Sequence, residues 1–183
     1  MRVPEIFVGQ PSLFEFEPQE TAKVFVLDTE TSGFETYSEI LQITIVGIDG
    51  EIAYSSFVKP IVPIDERGSA YAVNRISNKM VENAPNFRVC HPEVLQILQG
   101  NIAIAYNAAF DSRMLRQDCE RHKLEVPRME WRCAMNTAAR RFGRRCKLEE
   151  ACQRFGIDHS QAHEATKDAL DTLLLCKALG MVK

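Results

Sequence analysis

The ten residues VFVLDTETSG, at positions 24–33, lead from an apolar run directly into a pair of acids. The run at 24–27 is β-branched and aromatic with no Gly or Pro inside it, which predicts a buried β-strand. Because side chains alternate across a strand, Asp28 and Glu30 should project from the same face where the strand ends. Two adjacent carboxylates repel each other unless a cation lies between them. Taken alone, the pair fits a solvated acidic strand end equally well, so its meaning depends on the rest of the chain.

The length and composition are those of one soluble globular domain. The chain has 183 residues, of which 45% are hydrophobic and 26% charged. No apolar run reaches the length of a membrane helix, and the N-terminus lacks a basic-then-apolar signal pattern. These features predict a cytoplasmic protein that has no membrane partner. The cysteines contain no Cys-x-x-Cys pair, which disfavours both a zinc site and a disulfide framework.

The net charge of −3 conceals an uneven distribution. Residues 1–22 hold one arginine against four glutamates, so the remaining residues balance at 21 basic and 21 acidic side chains. Within that remainder lies a basic run, which fits either a solvated helix end or an edge that contacts phosphates. The run consists of Arg140, Arg141, Arg144, Arg145 and Lys147.

Residues 1–22 contain three prolines and no sustained periodicity, which predicts an arm outside the main domain at 23–183. Within the arm, QPSLF at 10–14 resembles the clamp-binding peptides of bacterial replication and repair proteins. Such peptides present a glutamine, here Gln10, followed by a leucine–phenylalanine pair, here Leu13 and Phe14. The resemblance implies that a bacterial DNA sliding clamp, or a polymerase, is a partner. Pro11 departs from the usual pattern, and the alternative is that Leu13 and Phe14 pack on the domain itself.

The rest of the chain alternates between strand and helix patterns. Strands at 40–48 and 52–58, joined by Asp49-Gly50, predict a hairpin. A second buried strand is expected at 102–106 and an edge strand at 129–133. Helices are expected at 70–76, from the Ser77 cap to 81, at about 91–98, after 111, at 134–142, at 148–155 and at about 163–179.

Two further acids lie where they can join the first pair. Asp111 follows the buried strand at 102–106, and Asp168 lies on the last helix. Strand ends and neighbouring helix starts converge on one crevice in an α/β sheet. Carboxylate oxygens favour Mg²⁺ or Mn²⁺ over zinc, and two such ions about 3.5–4 Å apart would stabilise a phosphodiester displacement. The alternative for Asp111 is a simple helix cap.

His163 precedes Asp168 by five residues, about 500° around a helix. It can share the crevice only from the first turn or the preceding loop. A histidine there can take a proton from the attacking water near neutral pH. An ordinary surface or core histidine is the alternative. Glu164 shares the helical face of Asp168 and is a rival metal ligand.

Three segments together resemble the DnaQ-like DEDDh exonucleases. They are DTETSG at 28–33, YNAAFD at 106–111 and HEATKDA at 163–169, and the resemblance extends over about residues 23–179. It implies an RNase H-like α/β fold, a five-stranded mixed sheet with helices on both faces. The sequence departs from the family at Asn74-Arg75-Ile76, where glycine usually precedes the isoleucine.

The resemblance also implies an activity. It implies hydrolysis from a 3′ end with release of nucleoside 5′-monophosphates. The leading hypothesis is that the substrate is single-stranded DNA, in repair or proofreading, and only the clamp-like peptide at 10–14 favours DNA over RNA. The four acids would hold two Mg²⁺ or Mn²⁺ ions, and His163 would be the base. Phe34 and Phe110 are candidate stacking or wedge residues for the terminal base, and core packing is the favoured alternative for Phe110. The expected substrate-binding residues are Thr31, Ser32, Gly33, Phe34, Asn107 and Phe110.

Two alternatives remain at this point. The same chemistry could trim RNA 3′ ends or short oligoribonucleotides, because the motifs do not read the 2′-hydroxyl. A non-catalytic nucleic-acid-binding module on this fold is the alternative from another class. The sequence predicts either a monomer or a homodimer.

Overall fold

A computed structural model describes residues 21–160 and 164–183 of the chain. The peptide containing Gln10, Leu13 and Phe14 lies outside the described residues, and so does His163. The division into an arm at 1–22 and a domain at 23–183 therefore stays a prediction.

The described residues form one five-stranded mixed sheet, as the sequence predicted. The strand order is β3-β2-β1-β4-β5. β1 pairs antiparallel with β2 and parallel with β4, and β4 pairs parallel with β5. The carboxyl ends of β1, β4 and β5 therefore meet at one edge of the sheet. The strands are β1 Val24–Thr31, β2 Ile40–Gly47, β3 Ile52–Phe57, β4 Ile102–Ala105 and β5 Glu130–Cys133.

Helices cover both faces of this sheet. Alternation along β1 sends Leu27 into a core shared with α3 and α4, and Val26 into a second core shared with α7. This two-faced packing confirms the predicted α/β architecture. The helices are α1 Ser69–Asn74, α2 Asn78–Val81, α3 Phe87–Leu98, α4 Ala108–Arg121, α5 Ala134–Phe142, α6 Leu148–Arg154 and α7 Ala165–Ala178.

Three helix starts differ from the sequence prediction by two residues or more, and one of them is α4, which was expected after residue 111 but begins at Ala108. α3 begins at Phe87, four residues earlier than expected, because Asn86 accepts a hydrogen bond from the Val89 amide and Pro92 is accommodated in the second turn. α7 begins at Ala165, with Glu164 as its N-cap. None of the helices in the described part of the chain is long and apolar enough to span a membrane.

Candidate active site

β1 carries the first two acids of the site to the edge of the sheet. Asp28 and Glu30 lie on the face of β1 that packs against α7, and they are joined there by Asp168 from the first turn of that helix. A carboxylate oxygen of each of the three lies within 4.8 Å of the other two. The structure thus brings together acids that are 140 residues apart in sequence.

Asp111 reaches the same edge from the opposite face of the sheet. It is buried in the first turn of α4, and its Oδ1 accepts a hydrogen bond of 2.8 Å from the hydroxyl of Thr29. Alternation along β1 turns Thr29 away from its neighbours Asp28 and Glu30, which places it on the α4 side. The role of Thr29 was missed by the sequence analysis, although its position between the two acids was the signal.

The start of α7 is tied to β2 by Gln42, which lies opposite Glu30 in the sheet. The Gln42 amide donates to the Glu164 carboxylate over 3.0 Å, and its oxygen accepts from the Ala165 amide over 3.3 Å. Glu164 also accepts from the backbone amides of Thr166 and Lys167. These bonds commit Glu164 to capping α7, while Asp168 joins the acid cluster.

Burial and the neighbouring carboxylates raise the pKa values of the acids in this site. Burial raises the pKa of Asp28 well above its ordinary value, and the charges of Asp111, Glu30 and Asp168 raise it further. Burial, followed by the charge of Asp168, raises the pKa of Glu30 to about 7. Burial also raises the pKa of Asp111 to about 7, against the lowering effect of the Thr29 hydroxyl. A cation between these groups would lower their pKa values, because it favours the ionised carboxylates.

The donor set fits a hard divalent cation. All ligand atoms of the Asp28–Glu30–Asp168 cluster are carboxylate oxygens, which suit Mg²⁺ and Mn²⁺. Among the described residues, the cluster includes no cysteine or histidine, the ligands that softer metal ions prefer. Asp28 and Glu30 are only partly buried, so the cluster is open to solvent on one side. The cluster can therefore receive both a cation and a substrate.

The turn after β1 is organised by its own side chains. The Thr31 hydroxyl donates to the Gly33 carbonyl, and the Ser32 hydroxyl accepts from the Glu39 amide. A Cβ at Gly33 would lie 2.7 Å from the Ser38 hydroxyl oxygen, so a larger residue there would require the Ser38 side chain to move. Contact of these residues with a nucleotide stays a prediction.

Two aromatic rings lie beside the turn after β1 and the start of α4. Phe34 is 62% exposed, and its ring centroid lies 5.8 Å from that of the half-buried Phe110. Arg113 holds the pair, since its guanidinium lies 5.3 Å from the Phe110 ring centroid and donates to the Phe34 carbonyl. Asn107 is the exposed N-cap of α4, and its side chain makes no capping bond. The exposed Phe34 ring leaves the pair partly accessible, while Phe110 also packs against the core.

Asn74 is a further polar neighbour that the sequence analysis noted only as part of a departure from the family pattern. Its amide donates to the Thr31 carbonyl over 3.0 Å, and its hydrogen bond to Glu30 lowers the pKa of that carboxyl group. Arg75 adopts the left-handed conformation, with φ of 58°. Glycine adopts that conformation more readily than arginine does.

A second polar group lies behind Asp168. Nδ1 of His159 is 2.6 Å from an oxygen of Asp171 and 3.8 Å from Asp168, and the Lys167 ammonium binds the Asp171 carboxylate. Lys167 also donates to the Asp158 carbonyl. The lysine already neutralises Asp171, so this group serves as a structural ion network beside the site.

Comparisons with known proteins agree with this geometry. The sequence profile of a family described as Exonuclease (RNase_T) matches residues 25–176. The chain is 29% identical over 176 residues to the uncharacterized exonuclease CP81 of Escherichia phage 186, covering 88% of this chain and 89% of the phage protein. It is 32% identical over 159 residues to the PolC-type DNA polymerase III of Thermotoga petrophila, covering 82% of this chain but only 11% of that polymerase.

The fold has solved counterparts as well. The nuclease domain of 3′hExo, a DEDDh family member bound to rAMP, matches with a TM-score of 0.72 at 15% identity, covering 90% of this chain and 94% of that domain. This likeness supports the fold, while the profile match extends over most of the chain. The chain therefore belongs to the exonuclease family, as a hydrolytic enzyme of the DnaQ-like 3′–5′ type.

Proposed function

We propose that the chain removes nucleoside 5′-monophosphates from the 3′ end of single-stranded DNA, in repair or proofreading. The observation that supports this most strongly is the convergence of Asp28, Glu30 and Asp168 within 4.8 Å at a partly open sheet edge, with Asp111 beside them. Neighbouring ionised carboxylates repel each other unless cations lie between them, so such a cluster suits metal-dependent hydrolysis of a phosphodiester.

The four acids would hold two divalent cations, Mg²⁺ or Mn²⁺. Bound there, the ions would supply charge stabilisation for the attacking and leaving oxygens of the phosphodiester. The chain's own contribution is to fix the carboxylates in advance, through the Thr29–Asp111 hydrogen bond and the Gln42 link to α7. His163 would take the proton of the attacking water.

The 3′-terminal nucleotide would lie between the turn at 31–34 and the start of α4. Phe34 and Phe110 would contact the base, because aromatic surfaces bind single strands with little sequence preference. The backbone around Thr31 to Gly33, together with the exposed Asn107, would contact the terminal sugar. Phe34→Ala should therefore raise KM more than it lowers kcat, and an unchanged KM would remove Phe34 from the binding site.

The base has its own test. His163→Ala should lower kcat strongly and abolish the fall in rate that the parent shows as the histidine becomes protonated. His163→Ala with the parental rate and pH profile would exclude His163 as the base.

The preference for DNA rests on a relative whose name includes a DNA polymerase and on the clamp-like peptide at 10–14. Trimming of RNA 3′ ends is the second candidate, favoured by the DEDDh nuclease domain that binds rAMP. Matched single-stranded DNA and RNA of one sequence, digested separately and in competition, decide between them. A higher kcat/KM on the RNA strand would overturn the DNA assignment.

The clamp partner is tested independently of catalysis. Leu13→Ala with Phe14→Ala should abolish retention on an immobilised bacterial sliding clamp. Ile6→Ala with Phe7→Ala removes comparable apolar side chains from the same arm and should leave retention unchanged. If the parent is not retained, the peptide has no such role.

A further inference from the structure

A basic surface lies on the α5–α6 connection, outside the site described above. Residues 140–154 contain six basic side chains and two acidic ones, Glu149 and Glu150. This local excess contrasts with the balance of 21 basic and 21 acidic side chains over residues 23–183. We call Arg140, Arg141, Arg145 and Lys147 the α5–α6 surface.

The members of the α5–α6 surface lack acidic partners among the residues that the structure describes. Glu150 binds both Arg144 and Arg154, at 2.5 and 2.7 Å. Arg140 and Arg145 donate only to neutral oxygens, those of Thr137 and Asn136. All four members are exposed, so their charge is available to an anionic partner.

The surface stands on a braced framework. The Arg154 guanidinium lies 4.5 Å from the centroid of the Phe142 ring, and Phe142 packs against Phe155 at a centroid distance of 5.9 Å. These contacts join the end of α5 to the end of α6. The basic groups are thus presented by a fixed backbone, which lowers the ordering cost of binding.

The α5–α6 surface begins at the same edge of the sheet as the acid cluster. Tyr106 directly follows β4, and its hydroxyl donates over 2.7 Å to the carbonyl of Cys146, which lies between Arg145 and Lys147. Arg145 also binds Asn136 in the first turn of α5, the helix that follows β5. Both contacts fix Arg145 and Lys147 at the carboxyl ends of β4 and β5.

From that edge the surface leads away from the site. Arg140 lies four residues beyond Asn136 on α5, about 6 Å further along the helix axis. Arg140 and Arg141 also line an open cavity of about 690 Å³ with Phe142, Arg154 and Leu179. The basic groups therefore extend along α5 from the edge of the sheet at which the acids also lie.

We propose that the α5–α6 surface binds the phosphate backbone of the substrate strand on the 5′ side of the nucleotide being removed. This inference rests on the proposed function, which brings a polyanionic strand to this edge of the sheet. Exposed arginines without carboxylate partners suit repeated phosphates, which they bind through paired N–H groups. Arg145 and Lys147 contact the phosphates nearer the 3′ end, and Arg140 and Arg141 those further away.

Binding is measured in EDTA with a labelled single-stranded oligodeoxynucleotide across a series of salt concentrations. Removal of two phosphate contacts by Arg145→Gln with Lys147→Gln should lower the salt slope of log K by about 1.4, since each contact contributes about 0.7 on a single strand. If the parent and the variant bind equally at 1 M salt, this difference in slope makes the affinity of the variant about 25-fold weaker than that of the parent at about 0.1 M salt. An unchanged slope would overturn the proposal.

Lys123→Gln with Arg128→Gln is the matched control. Both side chains are exposed, and they lie at the opposite end of the sheet, where the Arg128 carbonyl accepts from the Gly100 amide before β4 begins. This control should keep the parental salt slope. An equal loss in the control would show that total charge, rather than this surface, governs binding.

Hydrolysis provides the second readout. Arg145→Gln with Lys147→Gln should lower kcat/KM on the long oligonucleotide and leave cleavage of a dinucleotide unchanged. Arg140→Gln with Arg141→Gln should weaken binding only of strands long enough to reach α5. Equal losses on the dinucleotide and the long strand would overturn the proposal, because the damage would then lie in the site.

Two further outcomes distinguish strand binding by the α5–α6 surface from the proposed hydrolysis and from binding of an acidic protein. If the parent digests neither substrate, the proposed function fails, while the titration in EDTA still decides whether the α5–α6 surface binds the strand. A poly-glutamate peptide that binds as tightly as DNA, and loses the same affinity in Arg145→Gln with Lys147→Gln, would overturn the assignment in favour of an acidic protein partner.

Discussion

Replacement of Glu30 by glutamine should stabilise the metal-free protein while abolishing its activity. Burial and Asp168 raise the pKa of Glu30 to about 7 from its ordinary 4.5. A carboxyl group whose pKa is raised by folding costs almost nothing well below its unfolded pKa of 4.5; the cost grows between pH 4.5 and about 7 and is constant above that range. With about 1.4 kcal/mol for each tenfold change, ionised Glu30 costs the fold about 3 kcal/mol at pH 8 and about 0.8 kcal/mol at pH 5. Glutamine removes that cost.

The assay is urea denaturation in EDTA, followed through the fluorescence of Trp131, which is the single tryptophan and packs against the core. Glu30→Gln should gain about 3 kcal/mol in free energy of unfolding at pH 8 and under 1 kcal/mol at pH 5. The exposed Glu51→Gln on the β2–β3 turn is the control and should change little. Added Mg²⁺ should stabilise the parent more than Glu30→Gln, since cation binding requires ionised carboxylates. A Glu30→Gln variant that is no more stable than the parent at pH 8 would refute this reasoning.

Three further substitutions test the supporting residues. Thr29→Val removes the hydroxyl that donates to Asp111, so the Mg²⁺ concentration for half-maximal rate should rise about tenfold. Thr29→Ser keeps the hydroxyl and should restore the parental value, and an unchanged Mg²⁺ requirement in Thr29→Val would contradict this role. Asn74→Ala removes the donor that lowers the pKa of Glu30, so the pH at which Mg²⁺ binding is half lost should move to higher values. An unchanged pH dependence of Mg²⁺ binding would exclude the role. Asp118→Ala should lower the free energy of unfolding by about 3 kcal/mol, because this buried carboxylate binds the Ile40 amide and the Arg121 guanidinium. The Mg²⁺ requirement should not change. A loss below about 1 kcal/mol would show that these two contacts contribute little to stability.

The fold was predictable because its signals are local. The apolar run at 24–27 and the hairpin turn at Asp49-Gly50 act over a few residues, and the sheet follows from them. The start of α3 was misplaced because the cap formed by Asn86, which begins the helix at Phe87, was not recognised in the sequence.

The acids of the site were predictable from their spacing, but their partners were not. Gln42 and Asn74 have no pattern that links them to the acids, because their contacts extend over 122 and 43 residues of sequence. Such contacts depend on strand register and on the packing of α1 and α7 against the sheet. His159 was likewise invisible, since only the folded chain brings it to Asp171. The clustering of raised pKa values also required the folded chain, because burial is their main cause.

The central claim is that the carboxylates of Asp28, Glu30, Asp111 and Asp168 perform metal-dependent hydrolysis from a 3′ end. The most direct measurement follows a 5′-labelled single-stranded oligonucleotide in Mg²⁺ or EDTA, with parent and Asp28→Ala side by side. The account predicts a ladder that shortens from the 3′ end with release of nucleoside 5′-monophosphates by the parent in Mg²⁺, and no products in EDTA or with folded Asp28→Ala. Internal cleavage, or a ladder that persists in Asp28→Ala, would contradict it.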